Sequence, residues 1–236
     1  MLNETFIFKG KRAKNKGIEL QDSITLSAAV PIFSEYNIPG RNGTLYQYNG
    51  TYENRSIIVP CFLLSYLLEK DIDSINSWLL SDPGYHRFED TNDEKHFMLA
   101  RAKQGVNKSA RAHLLNSFVL EFDTKPQRFL KSGEKTLDVT ERKNIYNPTQ
   151  FPALPLIEVQ GSGDITITIN GVALKIYDLN GTITYDAESD DAYNGENNLN
   201  NKVGVSDQMT IPSGSNSISV SGSVTSIKIT PRWWEL

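Results

Sequence analysis

The second half of the chain is built from short runs in which apolar and polar residues alternate. Leu156-Ile157-Glu158-Val159, Ile165-Thr166-Ile167-Thr168-Ile169 and Leu174-Lys175-Ile176-Tyr177 all follow this pattern. A period of two is the mark of a strand with one face in a core. Asn170-Gly171 lies between two of the runs, a strong hairpin signal. Gly161-Ser162-Gly163 predicts a turn before the strand at Ile165, and Asn180-Gly181 predicts another. Ser217 to Thr230 reads as one more strand. Short strands punctuated in this way predict a β-sandwich.

The first half is more varied. Phe6-Ile7-Phe8 predicts a strand, followed by a basic stretch to Gly17. Ile24 and Leu26 alternate with Ser23 and Thr25. Pro39-Gly40-Arg41-Asn42-Gly43-Thr44 and Asn49-Gly50 predict tight turns, with Tyr46, Tyr48 and Tyr52 on the strands beside them. Ile72, Ile75 and Leu79 recur at helical spacing, with Asp71 as the N-cap and Asp82-Pro83-Gly84 as the stop. Trp78 packs beside that face. Phe118, Leu120 and Phe122 alternate again, and Lys125-Pro126 ends the run.

Residues 124–155 carry four prolines and a mixed-charge stretch from Lys131 to Lys143, which predicts an interdomain connection. The resulting division is a domain over 1–133, a linker over 134–152 and a sandwich over 153–236. The expected fold class is mainly β: a sandwich-like N-terminal domain with one short helix, then a C-terminal β-sandwich. Charge supports two different surfaces. Residues 1–133 hold 17 Lys and Arg against 15 Asp and Glu, whereas 134–236 hold 7 against 13. Neither half is basic enough for nucleic-acid binding.

Composition narrows the function classes. At 236 residues with 39% hydrophobic content, the chain can bury packed cores. The single cysteine, Cys61, sits in an apolar run and reads as a core residue, with no intrachain disulfide to form. No apolar run reaches membrane-spanning length and the N-terminus lacks a secretory pattern. The expectation is a soluble protein made in a cytoplasm, and the six Asn-X-Ser/Thr matches are read as chance in an Asn-rich chain.

Catalytic chemistry finds no motif. His86, His96 and His113 lack metal-ligand spacing, and there is no nucleophile elbow, phosphate loop or dinucleotide fingerprint. The acidic stretch Asp186 to Asp191 lacks the glycine and glutamate of an EF-hand loop and is expected to be a solvated loop. The expectation is no enzyme, no metal and no cofactor. The basic cluster Lys9, Lys11, Arg12, Lys14 and Lys16 reads as a solvated loop, with an acidic partner surface as the alternative.

The last residues, Pro231-Arg232-Trp233-Trp234-Glu235-Leu236, are unusual for a chain end. Two indoles predict a terminus tied into the fold, since burial contributes roughly 1.5–3 kcal/mol each. A β-domain closing on this plug resembles the distal tail protein of long-tailed, non-contractile phages. Further segments resemble that family in order: Phe6 to Gly10, the turn Pro39-Gly40-Arg41-Asn42-Gly43, the helix around Ile75 to Leu79, Asn147-Pro148, Ile169-Asn170-Gly171, Asp186 to Tyr193, and Ile229 to Trp234.

The resemblance implies an N-terminal domain forming a homo-hexameric ring and a C-terminal galectin-like or carbohydrate-module-like sandwich. It implies a baseplate or tail-tip adaptor that contacts tail tube protein, the tail-associated hub protein and in some cases receptor-binding proteins. It places the protein at the virion tail tip, after assembly in the bacterial host cytoplasm. Arg41, Tyr46 and Tyr48 are the candidate ring-interface residues. The alternative is a carbohydrate-binding protein acting through the C-terminal sandwich, which requires exposed rings at Trp233 and Trp234.

Overall fold

The computed structural model describes residues 4–64, 69–107 and 117–236. It is mainly β, and the chain divides into two compact units: Met1–Arg128 with Leu236, and Phe129–Glu235. His113 lies outside the described residues.

The first unit contains β1 (Phe6–Phe8), β2 (Lys11–Arg12), β3 (Ile18–Leu20), β4 (Thr25–Leu26), β5 (Pro31–Tyr36), β6 (Leu45–Tyr52) and β7 (Arg55–Leu63). Helix α1 (Glu69–Leu80), β8 (His86–Asp90), β9 (His96–Ala102) and β10 (Ser117–Leu130) follow. The main sheet runs in the order β2-β1-β8-β9-β10-β7-β3, with β4 also on β7. Strand β7 alternates buried and half-buried residues along its length, the pattern of a one-sided core strand. The core is aromatic. Phe6, Phe8, Phe88 and Phe122 have ring centroids 5.0–5.8 Å apart. Helix α1 lays Ile72, Ile75, Trp78 and Leu79 against them, and the Trp78 indole N–H donates to the Phe8 carbonyl at 3.1 Å.

Two expectations differ here. Pro126 does not end its strand, because β10 continues to Leu130; the Pro126 carbonyl accepts a bond from Arg55 instead. Asn49-Gly50, expected as a tight turn, lies inside β6. The segment Pro39 to Thr44 does stand in the connection, which is eight residues long because Tyr36 pairs with Leu45.

The second unit contains β11 (Leu137–Asp138), β12 (Asn144–Asn147), β13 (Leu156–Ile169), β14 (Val172–Asp186), β15 (Asp191–Asn194), β16 (Asn197–Asn198), β17 (Val203–Val205), β18 (Gly214–Thr230) and β19 (Trp234–Glu235). Three strands of 14 to 17 residues, β13, β14 and β18, form its frame. Their first and second halves belong to opposite layers of a β-sandwich. At one end the order is β12-β18-β13-β14-β17; at the other it is β11-β18-β13-β14-β15-β16.

The strands bend between layers where side chains have no room. A Cβ on Gly161 would overlap the Ser223 carbonyl, and one on Gly222 would overlap the Asp164 carbonyl. Register shifts in β13 fall at the same place, as bulges do at the corners of sandwiches. This corrects two predicted turns: Gly161-Ser162-Gly163 and Asn180-Gly181 lie inside continuous strands. Asn170-Gly171 does form a two-residue hairpin, with φ of 49° and 89°.

Residues 134–152, expected as a connection, lie inside the second unit. Leu137–Asp138 pairs with Lys228 and Ile229, and Asn144–Asn147 pairs with Gly214 to Ser217. Asn147 is 1% exposed and donates to the Phe151 and Ile211 carbonyls while accepting from Thr149.

Candidate functional site

Strands β5 and β6 form a two-stranded sheet separate from the main one. A two-stranded ribbon is at best marginally stable alone in water. This one projects as an arm. Seven of the eight residues of β6 are exposed and Tyr52 is half-buried. Val30, Phe33, Tyr36, Ile38, Leu45, Tyr46 and Tyr48 are each 43–58% exposed. Among the described residues of the unit the other aromatic rings are buried or half-buried, and these lie outside. A concentration of exposed apolar surface on one element marks an interaction site.

Register sorts the arm into two faces. Cross-strand partners share a face, so Phe33 stands opposite Tyr48 and Glu35 opposite Tyr46. The rings make a continuous ladder. Tyr46 and Phe33 are 6.2 Å apart, Phe33 and Tyr48 5.7 Å, and Tyr48 and Tyr52 6.0 Å, at interplanar angles of 52° to 84°. Bonding to Tyr52 raises the Tyr48 phenol above its ordinary pKa. The opposite face is polar in its middle, where Ser34 bonds Asn49 at 2.9 Å, and apolar at its tip, where Tyr36 pairs with Leu45.

The candidate residues named from sequence fall on this arm. Tyr46 and Tyr48 belong to the ladder. Arg41 is exposed on the connecting loop, where Pro39, Gly40, Asn42 and Gly43 turn the chain; its N–H donates to the Ile38 carbonyl at 3.1 Å. The structure does not bring Arg41 against the tyrosines: they lie on the strands, it on the loop. Sequence reading passed over Phe33, Ile38 and Leu45. The signal for Phe33 was its place opposite Tyr48 across the turn, which becomes visible only once the register is known.

The C-terminal motif lies in the second unit. Trp233 is 5% exposed and belongs to that unit's core cluster, so its ring offers no face to a sugar. Its carbonyl accepts the Leu130 N–H at 2.8 Å. Trp234 is half-buried, stacked on Phe151 at 4.5 Å, with its indole N–H on the Pro152 carbonyl at 2.9 Å. Pro231 is buried, and Arg232 forks onto Asp186.

Several of the remaining charged groups bond within their own unit. In the acidic stretch Asp186 holds Arg232, Asp190 accepts the Tyr185 hydroxyl at 2.6 Å and Asp191 accepts from Asn200. In the basic cluster Lys9 donates to the Asp82 carbonyl at the end of α1 and Lys16 to Ser74. His86 faces Asp82 at 3.1 Å and His96 faces Asp93 at 2.8 Å. Among the described residues no helix is long and apolar enough to cross a membrane.

Comparison with known proteins bears on the fold. No protein-family model matches the sequence, and no curated protein matches it. A solved structure does. The crystal structure of SPP1 Dit (gp 19.1), described as a paradigm of the hub adsorption apparatus in phages infecting Gram-positive bacteria, is 14% identical to this chain. The similarity covers 99% of both chains with a TM-score of 0.75. From end to end, the chain has the fold of that phage distal tail protein.

Proposed function

We propose that this chain is a structural component of a phage tail: the distal tail protein of a long-tailed, non-contractile phage or prophage. The fold shared with SPP1 Dit supports the class, and the exposed aromatic arm is the observation that carries the role. An adaptor acts by surfaces, and the arm is the surface this chain leaves unsatisfied.

In this reading the arm of one subunit lies on the next, and six subunits close into a ring around a channel. Seven large side chains about half exposed supply on the order of 500–700 Å², given 150–250 Å² for each buried aromatic. A standard interface uses about 800 Å² per partner, so one donated arm provides most of a junction. Donating and accepting at different surfaces is a heterologous contact, which closes into a ring when its rotation fits. Ring faces would meet tail tube protein on one side and the hub protein on the other, with receptor-binding proteins as further partners. The role is assembly without catalysis, at the virion tail tip.

Negative-stain imaging of the concentrated protein tests this. The expected result is six-fold rings with an open centre. Discrete single subunits at the highest attainable concentration, with and without a hub partner, would contradict the proposal.

A further inference from the structure

The arm is stitched to the body by polar groups at its root. Ser27, where the chain departs, donates its N–H to the Ser56 carbonyl at 3.0 Å, and its hydroxyl accepts the Ser56 N–H at 2.9 Å. Glu53 closes the ribbon by donating to the Val30 carbonyl at 2.8 Å. Asn54, where the chain returns, donates to the Tyr85 hydroxyl at 2.7 Å and to the Asp123 carboxylate at 3.1 and 3.2 Å. Tyr85 donates in turn to Asp123 at 2.6 Å, and Arg101 Nε adds a third donor at 2.9 Å.

Arg55 completes the root. It is 8% exposed, and its Nε and Nη1 donate to the carbonyls of Ser27 and Pro126 at 2.6 and 3.4 Å. A buried guanidinium is costly, and bonds to neutral carbonyls offset that cost less than a carboxylate does. Core stability alone gives no reason to put a cation here. Joining the departing chain at Ser27 to β10 with one rigid fork does, and the planar shape of Arg suits that task.

We infer that Asn54, Arg55, Tyr85, Arg101 and Asp123 are positioning residues that fix the angle at which the arm leaves the body. The inference rests on the arm being an interface element. A ring repeats one rotation at every junction, so an arm free to swing would yield open or mixed assemblies. The clamp narrows that rotation before the neighbour arrives and lowers the ordering cost of association.

The test reads the arm within one subunit. Spin labels are placed at Arg41→Cys on the loop and Glu94→Cys on the body, both exposed sites. Labelled protein is measured at a dilution where light scattering gives the monomer mass, so that the arm is read before any neighbour docks and only intramolecular pairs contribute. Wild-type contacts should give one narrow distance peak. Asn54→Ala and Arg55→Lys should lose that peak for a broad distribution while the unit still melts cooperatively. Tyr85→Phe, which removes one hydroxyl and keeps the ring, serves if either variant fails to fold and should broaden the peak less. An unchanged narrow peak in all three would overturn the inference. Light scattering on unlabelled wild type reports separately on the ring, so failure of the ring reading and failure of the clamp are distinguishable.

Discussion

Arg232 grips Asp186 through two parallel hydrogen bonds, Nη1 to Oδ1 at 2.6 Å and Nη2 to Oδ2 at 2.8 Å. It does so from a backbone with φ of 58°, which side-chain-bearing residues seldom adopt. Glu188 stands 3.6 Å from the same guanidinium. The fork therefore ties the C-terminal tail to the end of β14. Arg232→Ala should cost about 2 kcal/mol of second-unit stability at neutral pH, the range for hydrogen bonds to charged groups. Arg232→Gly relieves the backbone and should lose less. Burial pushes the Asp186 carboxyl up, but Arg232 and neighbouring N–H groups outweigh it and hold it below its ordinary value. A depressed carboxylate contributes stability that is present above its unfolded pKa and is lost as pH falls through the lower folded one. The gap between wild type and Arg232→Ala should therefore close on acidification below the ordinary carboxylate range. Denaturant midpoints measured across pH check this; a gap that widens in acid would refute it.

The two terminal tryptophans should differ. Trp233 sits in the core cluster, so Trp233→Ala opens a cavity and should cost about 3–5 kcal/mol. Trp234 is half-buried and keeps one stacking partner and one hydrogen bond, so Trp234→Ala should cost less than half as much. Thermal melts of the two single variants, with equal shifts in both, would show that burial does not rank them.

Cys61 offers a readout of the first unit alone. The thiol is fully buried, and desolvation pushes its pKa up to about 12. The thiolate is the reactive form. A maleimide should therefore label the native protein negligibly and the urea-unfolded protein fully. The denaturant dependence of labelling should track unfolding of residues 1–128 and remain unmoved by Arg232→Ala. Rapid labelling without denaturant would contradict the packing of β7.

How far the sequence discloses this fold depends on which interactions set each feature. Alternation in Ile165 to Ile169 and the helical spacing of Ile72, Ile75 and Leu79 are local, and these residues stand on β13 and α1, although α1 already runs from Glu69, so that Asp71 lies inside the helix and does not cap it. The stop at Asp82-Pro83-Gly84 is local too. Gly181 and Gly161 mislead for a physical reason. Glycine serves a tight turn and a strand corner alike, and only the partner strands decide between them. Pro126 misleads likewise: a proline lacks only the N–H donor, and β10 runs on through it to Leu130. At the candidate site, Tyr46 and Tyr48 are legible as turn-flanking aromatics. The clamp is not: the bonded pairs among Asn54, Tyr85, Arg101 and Asp123 are 22 to 69 positions apart, and a lone polar residue carries no periodicity.

The arm's burden should be concentrated in few residues. Replacing Arg41 with Glu and both Tyr46 and Tyr48 with Ser removes the loop cation and two rungs of the ladder. It leaves the buried core of Phe6, Phe8, Phe88 and Phe122 intact. Because every junction of a ring repeats one contact, the loss acts at all of them together. The triple variant should be a folded monomer with wild-type melting of the second unit.

Light scattering over a concentration series, on wild type and on that triple variant, is the most direct measurement of the central claim. The account expects wild type to approach six times the monomer mass of 26.5 kDa at high concentration. It expects the triple variant to remain at the monomer mass throughout. A wild type that stays monomeric or dimeric at every concentration, including with a hub partner present, would contradict it, as would a triple variant that assembles as wild type does.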